Sequence, residues 1–455
     1  MKEKIKIASG QGFWGDLIDA PYHQVTKGDI DYLIMDYLAE VTMSILQKQK
    51  NKNPELGYAK DIPDLMKRIL PIISDKKIKV ITNGGGVNPI ACAEAIIKVA
   101  KELNIKDLKI GVVLGDDIKD KIDGFIAVGE TLNNMETNES IIIVKDKILS
   151  ANVYFGAFPI VEALQNGADI VITGRTTDTG LTLAPMIYEF SWSKNDYNLL
   201  AAGTVAGHIL ECGAQSSGGN FLGDWQSIPN LAEIGFPIAE AYPNGEVIIT
   251  KHPRTGGRIS FETVAEQLVY EIGDPKSYIT PDCVADFTSI KLEDLGNDRV
   301  KVFNVKGFPE TEFFKVSCSY SDGYSASGSL TYSWPQALTK AKAADAILRK
   351  RLINLDLQFD EIKTEFIGYN STHGTLAKEI DEDNINEIML RIAVRSHDYF
   401  SVERFGKEIA PLILTGPPSV TGFAGGRPRP TEVVAYWPAL IKKIFVHPIV
   451  KIMEL

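Results

Sequence analysis

Over roughly its first 215 residues the chain alternates short apolar runs with helical segments, and nearly every run ends in a polar loop. Ile5–Ala8, Tyr32–Met35, Lys79–Thr82, Leu108–Leu114 and Asp169–Thr173 read as strands. The pattern is helical over 61–74, Pro89–Leu103 and 160–166. Runs of four to seven apolar residues leave no face for water, so such strands belong to a parallel sheet covered on both sides. In open α/β sheets a ligand sits outside the carboxyl ends of the strands. The loops 9–16, 83–88, 115–117 and 174–180 are therefore expected to converge on one crevice.

Beyond about residue 225 the texture changes. Glu246–Thr250, Val300–Val305 and Phe313–Tyr320 look like strands between Gly, Pro and Asn turns, Pro335–Asn354 looks helical, and Glu387–Val394 fits either period. The expected fold class is α/β: a three-layer N-terminal domain on a mostly parallel sheet (1–225), then an α+β domain (226–455) closing the crevice. A hydrophobic share of 44% suits a soluble globular chain, and a net charge of −11 disfavours nucleic acid and anionic membranes as partners. The four cysteines are scattered without a CxxC, which fits a reducing compartment and no disulfide framework. No apolar stretch approaches the ~18 residues of a membrane span, and no signal peptide is evident. A cytoplasmic location is expected.

The densest chemistry lies in Gly203–Phe221, GTVAGHILECGAQSSGGNF. If the segment is helical throughout, His208, Glu211, Cys212 and Gln215 share one face, with Asn220 close behind. A base, an acid, a thiol and an amide together suggest a site; a tightly packed turn is the plainer reading. Gly10, Gly12 and Gly15 follow a strand, and Asp36 lies about 20 residues further on, as in a dinucleotide fingerprint. Asp16, however, would set a carboxylate where pyrophosphate needs positive potential, and Phe13 and Trp14 crowd the loop. The alternative is a pocket wall with Asp16 capping the next helix. Asn83, Gly84 and Gly85 precede Asn88 and Pro89, so that loop is expected either to cradle an anion or to start a helix with Asn88 as cap. Arg175 carries a planar fork suited to carboxylate or phosphate, with Asp178 to orient it. Lys251 opens one basic cluster, KHPRTGGR, and Arg427 lies in a second, GGRPRP; local positive charge in an acidic chain suggests capture of an anion. No metal-ligand motif is present, although Asp116, Asp117 and Asp178 have the chemistry for a hard cation.

Taken in order, GQGFWGD, TNGGGVNP, LGDD, TGRTTDTG, AGHILECGAQSSGGN, KHPRTGG and GGRPRP make the chain resemble the acyclic terpene utilisation family of the AtuA type, along essentially its whole length. AGHILECGAQSSGGN is the most specific of these. Arg254 stands where a glycine is expected, and Gly85 and Val87 also depart from the pattern. The resemblance implies catabolism of branched acids through acyl-CoA intermediates. Longer members carry an extra small C-terminal domain, which here is expected to be absent or supplied by a separate small subunit; a homo-oligomer is expected, with or without that subunit.

The expected function is therefore an enzyme acting on a small carboxylic acid or its acyl-CoA thioester by a hydro-lyase type of acid–base reaction. His208 and Glu211 are the acid/base candidates. Arg175 and Arg427 would clamp the substrate carboxylate, and Asn83–Gly86 with Asn220 would stabilise an enolate-like oxygen. No cofactor is assigned beyond CoA as part of the substrate, with a divalent metal as a lesser option. One alternative is a thioester hydrolase or acyl transferase using Cys212 as nucleophile. Another is a non-catalytic binding subunit of a catabolic complex.

Overall fold

The computed structural model describes residues 2–378, 380–421 and 425–455. The chain forms two compact units: Met1–Ser319 with Tyr436–Leu455, and Tyr320–Ala435. The expected boundary at 225/226 falls inside unit 1.

Unit 1 begins with β1 (Ile5–Gln11), α1 (Ala20–Thr26), β2 (Tyr32–Met35), α2 (Glu40–Lys52), α3 (Ile62–Lys76), β3 (Lys79–Thr82), α4 (Pro89–Glu102) and β4 (Lys109–Leu114). Next come α5 (Ile122–Ala127), β5 (Ile148–Val153), α6 (Phe158–Gln165), β6 (Ile170–Thr173), α7 (Gly180–Phe190) and α8 (Tyr197–Glu211). Antiparallel elements follow: β7 (Pro237–Ala241), β8 (Val247–Lys251), α9 (Phe261–Val269), β9 (Tyr278–Ile279), β10 (Val284–Asp286), β11 (Lys291–Asp294), β12 (Val300–Phe303) and β13 (Lys306–Phe308). The long strand β14 (Phe313–Ser333) runs on into unit 2, which holds α10 (Ala337–Asn354), β15 (Glu361–Ile367), β16 (Glu387–Ser396), α11 (Tyr399–Ile409), α12 (Leu412–Thr415) and β17 (Val420–Thr421). β18 (Thr431–Lys442) returns to unit 1, and β19 (Ile449–Glu454) follows.

The chain is a mixed α/β protein with several sheets. The main sheet of unit 1 has ten strands in the order β11-β12-β8-β7-β1-β2-β3-β6-β4-β19. Only β1, β2, β3, β6 and β4 run parallel; the flanking ladders are antiparallel. The expectation of a mostly parallel sheet thus holds for its centre alone. The correction comes from β7, β8 and β19, which join this sheet from distant parts of the chain. β2 and β6 are buried at every position, as strands covered on both faces must be. Leu33 and Met35 point into one cluster with Leu65, Ile69, Ile96 and Val99 of α3 and α4. Tyr32 and Ile34 alternate to the opposite face, and α7 lies against β1 and β2.

Two turns differ from expectation. Asn88 precedes α4, but its side chain does not cap the helix; its amide instead donates to the Pro54 and Leu56 carbonyls, both at 2.8 Å. Asp16 does not cap α1 either. Its carboxylate accepts from Gly12 N–H (2.9 Å) and Leu17 N–H (2.7 Å), closing the loop on itself. Unit 2 has its own core, where Leu338, Ala341, Leu348 and Leu352 of α10 meet Ile388, Leu390 and Ile392 of β16 and Phe405 of α11.

Candidate active site

The strand-end loops do meet. β2 is followed by Asp36, which is buried and takes a 2.6 Å hydrogen bond from the amide of Asn83, the residue after β3. Asn83 Oδ1 in turn accepts from Tyr37 N–H at 2.8 Å. Just beyond β6 stands Arg175, whose guanidinium is buried, donating from Nη1 to the Leu38 carbonyl and to Asp178 Oδ1 (3.0 Å). The guanidinium carbon lies 4.2 Å from the centre of the Tyr154 ring. Tyr154 donates to Glu40 Oε1 at 2.6 Å, and Lys315 approaches the same carboxylate at 3.6 Å. Behind the loop, Asp116 at the end of β4 accepts from Arg175 N–H (2.8 Å) and from the Asn152 amide (2.9 Å), so it braces the loop.

The small residues of α8 let it sink into the unit, and it is buried from Leu200 to Leu210. It ends at Glu211 because Gly213 adopts a left-handed φ of 55°. The expected single helical face is therefore corrected: His208 and Glu211 share it, whereas Cys212 follows the helix and Gln215 lies in the next 3₁₀ turn. His208 Nδ1 is 2.8 Å from Glu211 Oε1, though out of line for a hydrogen bond. The rings of Phe287 and Tyr278 stand edge-on to His208, centroids 5.3 and 5.6 Å away. His208 Nε2 is buried without a hydrogen-bond partner among the described residues.

These groups feel one another electrostatically. Burial pushes the Asp36 carboxyl up to about 6, against the Asn83 hydrogen bond and the Arg175 charge, and Glu211 adds to the rise. Asp178 is driven well above the carboxylate range, first by burial, then by Asp36, Glu211 and Glu40, with Arg175 opposing. Burial works against the charge on Arg175, but Asp178, Tyr154 and Glu40 outweigh it and hold its proton more tightly than usual. Burial also acts to raise Glu40, yet the Tyr154 hydrogen bond and Arg175 bring it below its ordinary value. Asp178 and Glu40 are half-buried, with side chains 34% and 40% accessible, whereas Asp36, Arg175 and His208 lie fully inside.

Other sequence candidates stand apart from this cluster or are already occupied. Gly84 N–H donates to Thr82 Oγ1 and Gly86 N–H to the Asn83 carbonyl, so the loop after β3 spends both donors internally. A Cβ on Gly85 would lie 2.6 Å from the Thr173 carbonyl, and one on Gly12 would lie 2.8 Å from the backbone of Cys212 and Gly213. These glycines bring loop against loop. Gly10 is filled likewise by Leu33 and Met35, and Gly15, with φ 108°, turns the loop. Lys251 is tied to the Thr255 carbonyl and to Asp298, both at 3.0 Å. Asn220 is exposed. Arg427 belongs to unit 2. Among the described residues no group of three or more His, Cys, Asp or Glu is arranged to hold a metal ion, and no helix is long and apolar enough to cross a membrane.

Sequence reasoning missed Glu40, Tyr154, Tyr278 and Phe287. Glu40 had a signal, because it follows β2 just as the chosen loops follow their strands. Tyr154 had none, since it reaches the cluster from beyond β5, a strand outside the main sheet.

The molecule is thus a mixed α/β protein with a buried acid–base cluster at the carboxyl ends of its parallel strands. It belongs to the family described as acyclic terpene utilisation family protein AtuA, whose model matches residues 5–452. No curated protein and no solved structure matches the chain. Membership assigns it a role in acyclic terpene utilisation, a catabolic setting.

Proposed function

We propose that the chain is an acid–base enzyme that adds water to, or removes it from, a carboxylic acid or its acyl-CoA thioester, at the cluster around Arg175. The observation that carries this reading is the crowding of Asp36 and Asp178 about one buried guanidinium, Asp178 bonded to it at 3.0 Å, with the Glu211 charge raising both. Carboxyls forced together in a desolvated place hold protons near neutrality, which a proton-transfer site requires. In the hydration direction Glu211, set by His208, takes a proton from water as its oxygen bonds to the β-carbon. A protonated Asp178 or Asp36 then returns a proton to the α-carbon. Dehydration is the reverse. With Asp36 and Asp178 neutral, Arg175 and Lys315 both lie beside Glu40, and the surplus positive charge admits a thioester or a single carboxylate.

The thioester-hydrolase reading needs a thiolate at Cys212. Burial, then Glu211, pushes that thiol up to about 12, which disfavours it. The test is incubation with enoyl- and hydroxyacyl-CoA and with the free acids in D₂O, following deuterium at the α-carbon by NMR. Glu211→Gln should lose about 10²-fold or more in rate, while Cys212→Ser keeps most of it. If Cys212→Ser abolishes turnover and Glu211→Gln spares it, the chemistry is acyl transfer. Tight binding with no exchange on any substrate would instead make the chain a binding subunit.

A further inference from the structure

The second basic motif of the sequence builds a pocket of its own within unit 2. Arg391, Arg427 and Arg429 line a cavity of about 790 Å³ together with Ser327, Ser329 and Thr431. That volume is in the range of small-molecule sites. Among the described residues no carboxylate lines it, although the chain as a whole carries a net charge of −11. Arg391 stands opposite Ser329 in the β14–β16 ladder and is held through Nε by Glu365 at 2.6 Å. Arg427 and Arg429 have no ion pair among the described residues.

The wall that carries the two arginines is anchored. Pro428, between them, seats against two glycines: a Cβ on Gly328 of β14 would lie 2.8 Å from the proline ring, and one on Gly406 of α11 would collide with the Pro428 carbonyl. Thr431 Oγ1 ties the segment to the Ser325 carbonyl at 3.1 Å. Gly425 and Gly426 turn the chain into this segment with φ of 82° and 76°. A fixed backbone with arginines on either side of its anchor, in a cavity also lined by hydroxyls, has the donor set of an anion site.

We propose that this pocket binds a diphosphate group, gripped by Arg427 and Arg429, with Arg391 and the Ser327 and Ser329 hydroxyls completing the donors. The site is independent of the reaction assigned to unit 1. Free pyrophosphate, a nucleoside diphosphate and the diphosphate of coenzyme A share this chemistry.

The test is calorimetric titration of the full chain with pyrophosphate, ADP and coenzyme A at low salt. Saturable binding of at least one is expected, weakening as salt is raised. Arg427→Gln and Arg429→Gln should each weaken it about tenfold or more, the loss of a charge-assisted hydrogen bond. Equal binding of all three points to the diphosphate alone as ligand; tighter coenzyme A or ADP names the larger molecule that carries it. Absence of saturable binding, or binding unchanged in the double variant, overturns the proposal. Both arginines are exposed, so the unliganded melting temperature should not move and serves as the control for folding.

Discussion

Asp36 concentrates the tension of the site in one side chain. Its carboxyl is 6% accessible and raised from 3.8 to about 6, so the folded state holds a proton that the unfolded state has released between those two pH values. Stability from this group is therefore highest below pH 4, falls as pH rises through about 6, and is flat above. The loss is on the order of 3 kcal/mol. Asp36→Asn keeps the oxygen that accepts from Asn83 and Leu38 but cannot ionise. Denaturant melts should show the variant more stable than wild type at pH 7.5 and less steep between pH 4 and 6. An unchanged profile would mean that Asp36 is ionised without penalty. If the carboxyl also supplies a proton in the reaction, the same substitution lowers turnover while it raises stability.

At the scale of elements, the contact of α7 with α8 decides where His208 stands. A Cβ on Gly207 would lie 2.6 Å from the Cα and carbonyl oxygen of Thr179, backbone atoms that cannot swing aside. Gly207→Ala should cost about 1–3 kcal/mol in thermal or chemical melts, despite alanine's better helix propensity. Gly203→Ala meets chiefly the end of the Leu183 side chain and should cost less. The parallel strands were legible in the chain because each is a short apolar run closed by a loop; β2 and β3 start and stop where that reading places them. β7 and β19 were not legible as members of the same sheet, since nothing local in a strand names a partner far away in sequence. The same holds within the site. His208 and Glu211 are one helical turn apart and could be paired on paper, whereas Tyr154 and Glu40 meet only through the tertiary fold.

At the scale of the whole molecule, the core around the parallel strands and the core around α10 and β16 share none of their buried members. Leu348, buried in the second, should cost about 2–5 kcal/mol when cut to alanine. Hydrogen exchange in Leu348→Ala should speed up for α10 and β16 while the amides of β2, β3 and β6 keep their protection. If exchange accelerates equally in both, the units unfold as one.

The ten-stranded sheet also has an order in time. β19 pairs with β4 along its full length, Ile449 opposite Leu114 through to Glu454 opposite Lys109, although β4 leaves the ribosome far earlier. While the rest of the chain is being made, one side of β4 offers bare N–H and C=O groups to any passing strand. For a nascent chain this is the period of greatest hazard, and crowded synthesis without a chaperone to cover that edge should favour aggregates over product.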